Sequence, residues 1–285
     1  MEKPLPLLPV APSYLNWHGH QLALYRSGTG RPVLLIHSIN AAASAFEMRG
    51  PFIGLGADFA IHALDFLGYG NSDRPERRYR PEDYIAQIGA VLEHIGEPTD
   101  VIASSLGAAY AVEATARWPA RVNKLTLVCP TGMGLLTRST GLVGWAIYRM
   151  LRGPVGRAIF HLLTTPRSIR LFLGRQAYHA PQAMDAATVA SFHMTSRQPG
   201  AFYAPICFLT GLLNCDIRAS FPTLRQPVLL VWGQQATTTP VRSADAFLAA
   251  NPMARLEVID RASMLVQDEH PAAFNRLVRE FLLAP

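Results

Sequence analysis

The chain has 285 residues, 49% apolar and 16% charged, which suits one large buried core with an elaboration. No apolar run reaches the roughly eighteen residues that span a bilayer, and the proline-rich residues 1–12 lack the apolar stretch of a signal peptide, so a cytoplasmic protein is expected. The net charge is +6, but residues 114–184 hold ten basic side chains and no Asp or Glu, and no nucleic-acid-binding motif accompanies them.

In chain order, residues 14–17 and 21–26 flank His18, Gly19 and His20 and read as an opening hairpin. Residues 32–37 open with a wholly apolar run, as a strand buried on both faces does. A second such run, 60–64, ends at Asp65 and the turn-rich residues 68–73. Helical spacing runs through 81–96 by way of Ile85, Ile88, Val91, Leu92 and Ile95, and stops at a glycine. A short strand at 101–103 feeds directly into a helix at 106–118. Residues 124–128, 228–232 and 256–259 supply three more strands, and 274–283 a closing amphipathic helix. Between 130 and 221 the strand rhythm breaks into helical segments at 142–151, 155–163 and 168–173, punctuated by Gly153-Pro154, Thr165-Pro166, Gly174 and Pro181. The chain thus divides into a first core part, 1–129, a helical cap, 130–221, and a second core part, 222–285. Alternating strands and helices predict a mostly parallel sheet. Cys129, Cys207 and Cys215 are scattered and odd in number, with neither disulfide nor metal spacing, so no metal or cofactor is expected.

The strongest local signal is Ala103-Ser104-Ser105-Leu106-Gly107 between a strand and a helix. A sharp turn there exposes the central side chain, and small neighbours relieve the crowding. This pentapeptide resembles the nucleophile elbow of the α/β-hydrolase superfamily, in its capped, esterase- and epoxide-hydrolase-like form. His37-Ser38-Ile39-Asn40 is similar to that family's oxyanion loop, and Asp65 with Gly68, Tyr69, Gly70, Ser72 and Asp73 to its turn after the second parallel strand. Gln226-Pro227-Val228 through Gly233 resembles its strand before the acid, and Gln267-Asp268-Glu269-His270-Pro271 the segment after its histidine. The likeness runs from Trp17 to Leu283.

What the resemblance implies is an α/β-hydrolase fold: an eight-stranded, mostly parallel sheet with one antiparallel strand and an inserted helical cap. It gives Ser105 the nucleophile position, and the backbone N–H groups of Ile39 and Leu106 the oxyanion hole, which stabilises charge developing on a carbonyl oxygen. Substrate contact is expected from His37, Ser38, Asn40, Ser104, Ala236, Met264 and His193. The sequence departs from the family at Ala103 and Ser38, both commonly glycine. More seriously, Ala236 stands where the acid is expected, three residues after Gly233, and Met264 stands where the histidine is expected. Neither side chain accepts a proton. His179 and His193 in the cap are the candidates for a relocated base, while His270 reads as a surface helix-start residue.

Three readings follow. The chain is an atypical enzyme using Ser105 on an ester, thioester or lactone, with ordinary triad hydrolysis weak or absent. Alternatively it is a ligand-binding pseudo-hydrolase, or a lyase, isomerase or cyclase built on the same pocket. The ligand expected is small and hydrophobic, and anionic if the basic cap attracts it. The cap's basic and aromatic residues also suit peripheral contact with a membrane.

Overall fold

The computed structural model describes residues 4–138, 140–180 and 184–284; the break expected at Pro181 lies outside them. Eight strands form one sheet: β1 Ser13–Trp17, β2 His20–Ser27, β3 Pro32–Ile36, β4 Ala60–Leu64, β5 Thr99–Ser104, β6 Val122–Val128, β7 Val228–Gly233 and β8 Ala254–Ile259. Their order across the sheet is β1-β2-β4-β3-β5-β6-β7-β8. Only β2 runs against the rest, pairing antiparallel with β1 and with β4. Every other neighbouring pair is parallel.

The helices are α1 Arg49–Gly54, α2 Pro81–Ile95, α3 Ser105–Arg117, α4 Gly141–Leu151, α5 Pro154–Leu163, α6 Pro166–Phe172, α7 Ala186–Ser196, α8 Tyr203–Leu209, α9 Ala244–Ala250, α10 Val266–Glu269 and α11 Pro271–Leu283. The central strands β3, β5 and β7 are buried along their whole length. Helices α2 and α3 pack on each other, as do α1, α10 and α11. Two-sided burial is why β3 and β7 carry continuous apolar runs in place of alternation, and β5 a shorter one at 101–103.

Strand ends differ from the sequence expectation where polar residues hide them. β5 begins two residues early because Thr99 pairs with Val122 and Asp100 is buried against Arg31 at 2.8 Å. β8 likewise begins at Ala254, in register with Val228. Helix α7 was not legible because its buried side includes Thr188, Ser191, Thr195 and Ser196 beside Val189 and Phe192, which blurs any apolar stripe. Its start is secured by Asp185, whose carboxylate accepts from the Thr188 N–H at 2.6 Å.

The turn after β4 is a structural brace. Asp65 accepts from the Tyr25 hydroxyl and from the N–H groups of Ala45 and Asn71, all within 2.9 Å. Gly70, at φ +52°, lies so close that a Cβ would meet the Asp65 carboxyl at 1.9 Å. Ser72 donates to the Asp65 carbonyl and accepts from the Ala23 N–H, tying this turn to the antiparallel strand.

Candidate functional site

Ser105 lies at the junction of β5 and α3 with φ +53°, a left-handed conformation rare for a residue with a side chain. The approach of α3 to β3 explains the small residues around it. A Cβ at Gly107 would stand 2.2 Å from the His37 carbonyl oxygen, and Ala103, Ala108 and Ala109 are fully buried. The Ser105 carbonyl is held in turn by the Thr131 N–H at 3.3 Å, which links the elbow to the end of β6.

The loop after β3 is built around a carboxyl that sequence reading missed. Glu47 accepts from the Ser38 N–H at 3.0 Å and from the Asn40 amide at 2.7 Å. The same amide donates to the Ser38 hydroxyl, and the Asn40 carbonyl oxygen accepts from the Ala42 N–H. Burial pushes the Glu47 carboxyl up to about 7, against the pull of these donors. The side chains therefore shape the loop, and the Ile39 N–H is left without a partner among the described residues. Leu106 is the second residue of α3, where backbone N–H groups have no intrahelical acceptor.

His37 is fully buried, with its ring edge-on to Phe66 and Tyr69. Its Nε2 accepts from the Phe66 N–H at 3.1 Å, which puts the proton on Nδ1, and that atom donates to the Ser38 carbonyl. Burial lowers its basicity. His37 is a loop-fixing residue with both nitrogens engaged.

The positions expected for acid and histidine lie on two adjoining turns. Gly233 at the end of β7 has no room for a Cβ, which would meet the Ser263 carbonyl oxygen at 2.1 Å. Gln235 donates its N–H to the Ala262 carbonyl and accepts the Ala262 N–H on its side chain. Between them, Ala236 is buried and Met264 is partly buried, its sulfur accepting from the Thr239 hydroxyl at 3.7 Å.

A cavity of about 670 Å³ opens above Ser105, between the strand ends and α5–α8. Ser38, Ile39, Asn40, Ser104, Ser105 and Met264 lie on its wall, whereas His37, Ala236 and the Leu106 side chain stand behind it. His193 does not reach the wall either: its Nδ1 bonds the Thr164 carbonyl at 2.9 Å, and Thr164 and Phe192 face the cavity in its place. His179 is exposed, its N–H held by Glu269, and the His270 ring bonds the Arg261 carbonyl outside the site. Among the described residues the wall has no His, Asp, Glu or Lys; Arg175 is its single charged side chain. The rest is aliphatic and aromatic surface with scattered hydroxyls, of which the buried Thr131 hydroxyl has no hydrogen-bond partner among the described residues. No group of metal-ligating residues occurs among the described residues, and no described helix is long and apolar enough to cross a membrane.

A model of the alpha/beta hydrolase family matches residues 33–277, from within β3 to the middle of α11. The chain belongs to the alpha/beta hydrolase family. Within it, the pimeloyl-[acyl-carrier protein] methyl ester esterase of Methylococcus capsulatus is 28% identical over 261 residues, covering 92% of this chain and 98% of that protein. The 2-hydroxymuconate semialdehyde hydrolase of Pseudomonas putida is 25% identical over 272 residues, covering 93% and 91%. A solved serine hydrolase involved in carbazole degradation has a TM-score of 0.78 at 19% identity, covering 95% of this chain and 98% of that one, a likeness of fold.

A second group that sequence reading missed braces this alpha/beta hydrolase. Asp268, in α10, pairs with Arg49 at 2.7 Å and accepts from the Tyr178 hydroxyl, while Arg49 also donates to Thr188 of α7. Burial raises the Asp268 carboxyl to about 6 although Arg49 and Tyr178 pull it down. One ion pair thus joins α1, α10 and the segment between β6 and β7. Glu47, between Phe46 and Met48, was visible as a lone acid among apolar neighbours. Asp268, by contrast, sits among Gln267, Glu269 and His270, and its partner Arg49 is remote in sequence, just as Gln267 reaches the Glu47 carbonyl across 220 residues.

Proposed function

We propose that this chain takes a small hydrophobic carbonyl compound (an ester, thioester or lactone) into the cavity above Ser105, with ordinary triad hydrolysis weak or absent. The carbonyl oxygen is received by the N–H groups of Ile39 and Leu106, and the acyl or alkyl part by the apolar wall. One observation carries the reading: Ser105 keeps the strained elbow conformation over a large cavity whose described wall offers no proton acceptor of useful basicity. A serine hydroxyl without a general base is a poor nucleophile, and losing the histidine of a working triad costs on the order of 10⁶ in turnover. Polarisation by the oxyanion N–H groups survives that loss at a residual ~10³–10⁴ over water. Arg175 supports a ligand with an anionic group toward the cavity mouth.

The fully buried, doubly engaged His37 favours a second reading, a binding protein without turnover, because the histidine whose backbone packs against Gly107 is unavailable as a base. Fluorophosphonate labelling of Ser105 and hydrolysis of short activated esters test the reading together. Slow labelling and an ester rate far below that of a complete relative, both abolished in Ser105→Ala, support it. A fast rate that Ser105→Ala abolishes overturns the weak-hydrolysis part. Binding of a hydrophobic ester, seen as a rise in Tm, with no turnover selects the second reading.

A further inference from the structure

Helices α4, α5 and α6 are apolar on the side where a surface helix is ordinarily polar. α4 buries only Gly144 and Tyr148, α5 only Gly156 and Phe160, and α6 only Ile169. On the sides turned outward, Leu142 is 85% exposed, Leu162 69%, Met150 67% and Val155 65%. Single exposed apolar residues are ordinary on a protein surface, but such a face across three successive helices marks an interaction site.

The same face is basic. Arg149, Arg152, Arg157, Arg167, Arg170 and Arg175 are all exposed, in a stretch of sequence without a carboxylate. Among the described residues the only carboxylate within ion-pair reach of these six is Glu76, 3.9 Å from Arg152. Two guanidinium groups lie instead over aromatic rings, Arg149 over Trp145 at 5.0 Å and Arg157 over Phe202 at 5.1 Å. The cavity also reaches the surface here, since Leu163, Leu171, Phe172 and Arg175 are both exposed and part of its wall.

We propose that the α4–α6 face docks on an anionic lipid surface, with the cavity mouth turned toward the bilayer. Exposed aliphatic tips interleaved with arginines and a tryptophan match the headgroup boundary, where apolar tips sink in and guanidinium groups meet phosphate. A second copy of the chain is a poorer occupant, because a two-fold contact through this face sets arginines against arginines. The inference deepens the proposed function by naming where an apolar ligand is met, but the docking itself does not depend on Ser105.

Flotation with vesicles tests it, comparing neutral phosphatidylcholine with phosphatidylcholine containing anionic phosphatidylglycerol. The wild type is expected to bind the anionic vesicles at low salt and to be released as salt screens the charge. The triple variant R149Q/R167Q/R170Q should bind about 100-fold more weakly, at about 1 kcal/mol per arginine near the surface. A second variant, L142S/M150S/L162S, should also lose binding while keeping its charge. None of these six residues lines the cavity, and far-UV circular dichroism with Tm verifies that each variant folds. Ser105→Ala should bind vesicles like the wild type, so failure of the Ser105 reading leaves this result readable. Equal binding to neutral and anionic vesicles, or binding to neither, overturns the proposal. So does a dimer in sedimentation velocity that L142S/M150S/L162S returns to monomer without any vesicle binding, which assigns the face to a second copy.

Discussion

Glu47 is the residue on which the loop after β3 depends, because both its oxygens accept from that loop. Its carboxyl is raised from 4.5 to about 7, so ionising it costs more in the folded than in the unfolded chain. The stability this contributes is fully present below pH 4.5 and is lost as pH rises toward 7. Glu47→Gln does not titrate. The Tm of the wild type should therefore fall relative to that of Glu47→Gln between pH 4.5 and 7, by roughly 5 °C. A difference between the two that stays constant over this range would show that burial does not control the carboxyl. At the other end of the site, Met264 shares the cavity wall with Ser105, and the turn bearing Ala236 packs against the turn bearing Met264. Met264→His supplies a base, and Ala236→Asp the carboxylate that orients it and sets its tautomer. Ester hydrolysis should rise at least 10-fold in the double variant and little in either single one, a non-additivity read from a double-mutant cycle. Additive single effects would count against this pairing of positions.

Among the elements, the contact of α3 with β3 sets where Ser105 points. Gly107 has no space for a methyl group, since its Cβ would press on the His37 carbonyl, a backbone atom that cannot swing aside. Gly107→Ala should cost about 3 kcal/mol, read from denaturant unfolding, and should misplace the elbow as the helix shifts. Gly134→Ala is the control, for nothing lies within 4 Å of a Cβ there, and its effect should stay within about 0.5 kcal/mol. The Arg49–Asp268 pair acts between elements in a similar way. Asp268→Ala leaves the Arg49 guanidinium and the buried Tyr178 hydroxyl without that partner. A loss of about 3 kcal/mol is expected. Hydrogen exchange should report it first in α7, which Arg49 reaches through Thr188. Uniform loosening of the whole chain would indicate that the pair stabilises without joining those elements.

For the whole molecule, the charge and apolarity of one face act together with the cavity it surrounds. A ligand entering past Leu163, Leu171 and Phe172 meets Arg175 at the mouth and then an apolar wall. Ligands with a long apolar chain and an anionic end should therefore raise Tm more than neutral ligands of the same length. Arg175→Gln should remove that difference without altering the Tm of the free protein, since Arg175 is exposed. A neutral ligand that stabilises equally well would assign Arg175 to the surface alone.

The sequence by itself placed the central strands, because two-sided burial writes continuous apolar runs into β3 and β7, and its resemblance at the elbow, which demands small residues in one short stretch, implied the α/β-hydrolase fold. Its resemblance to the family set Ala236 and Met264 at the positions expected for the acid and the histidine, since those positions are counted from local landmarks such as Gly233. Only the tertiary structure decided that Glu47 holds Ser38 and Asn40, that Asp268 pairs with Arg49, and that His193 turns to Thr164 away from the cavity. Likewise, the sequence placed basic and aromatic residues together in α4 and α5, but not which side of each helix is covered. The physical reason is range. Periodicity and turn chemistry are set by neighbours along the chain, whereas the partner of a buried carboxyl and the exposure of an apolar face are set by segments that meet only when the chain is folded.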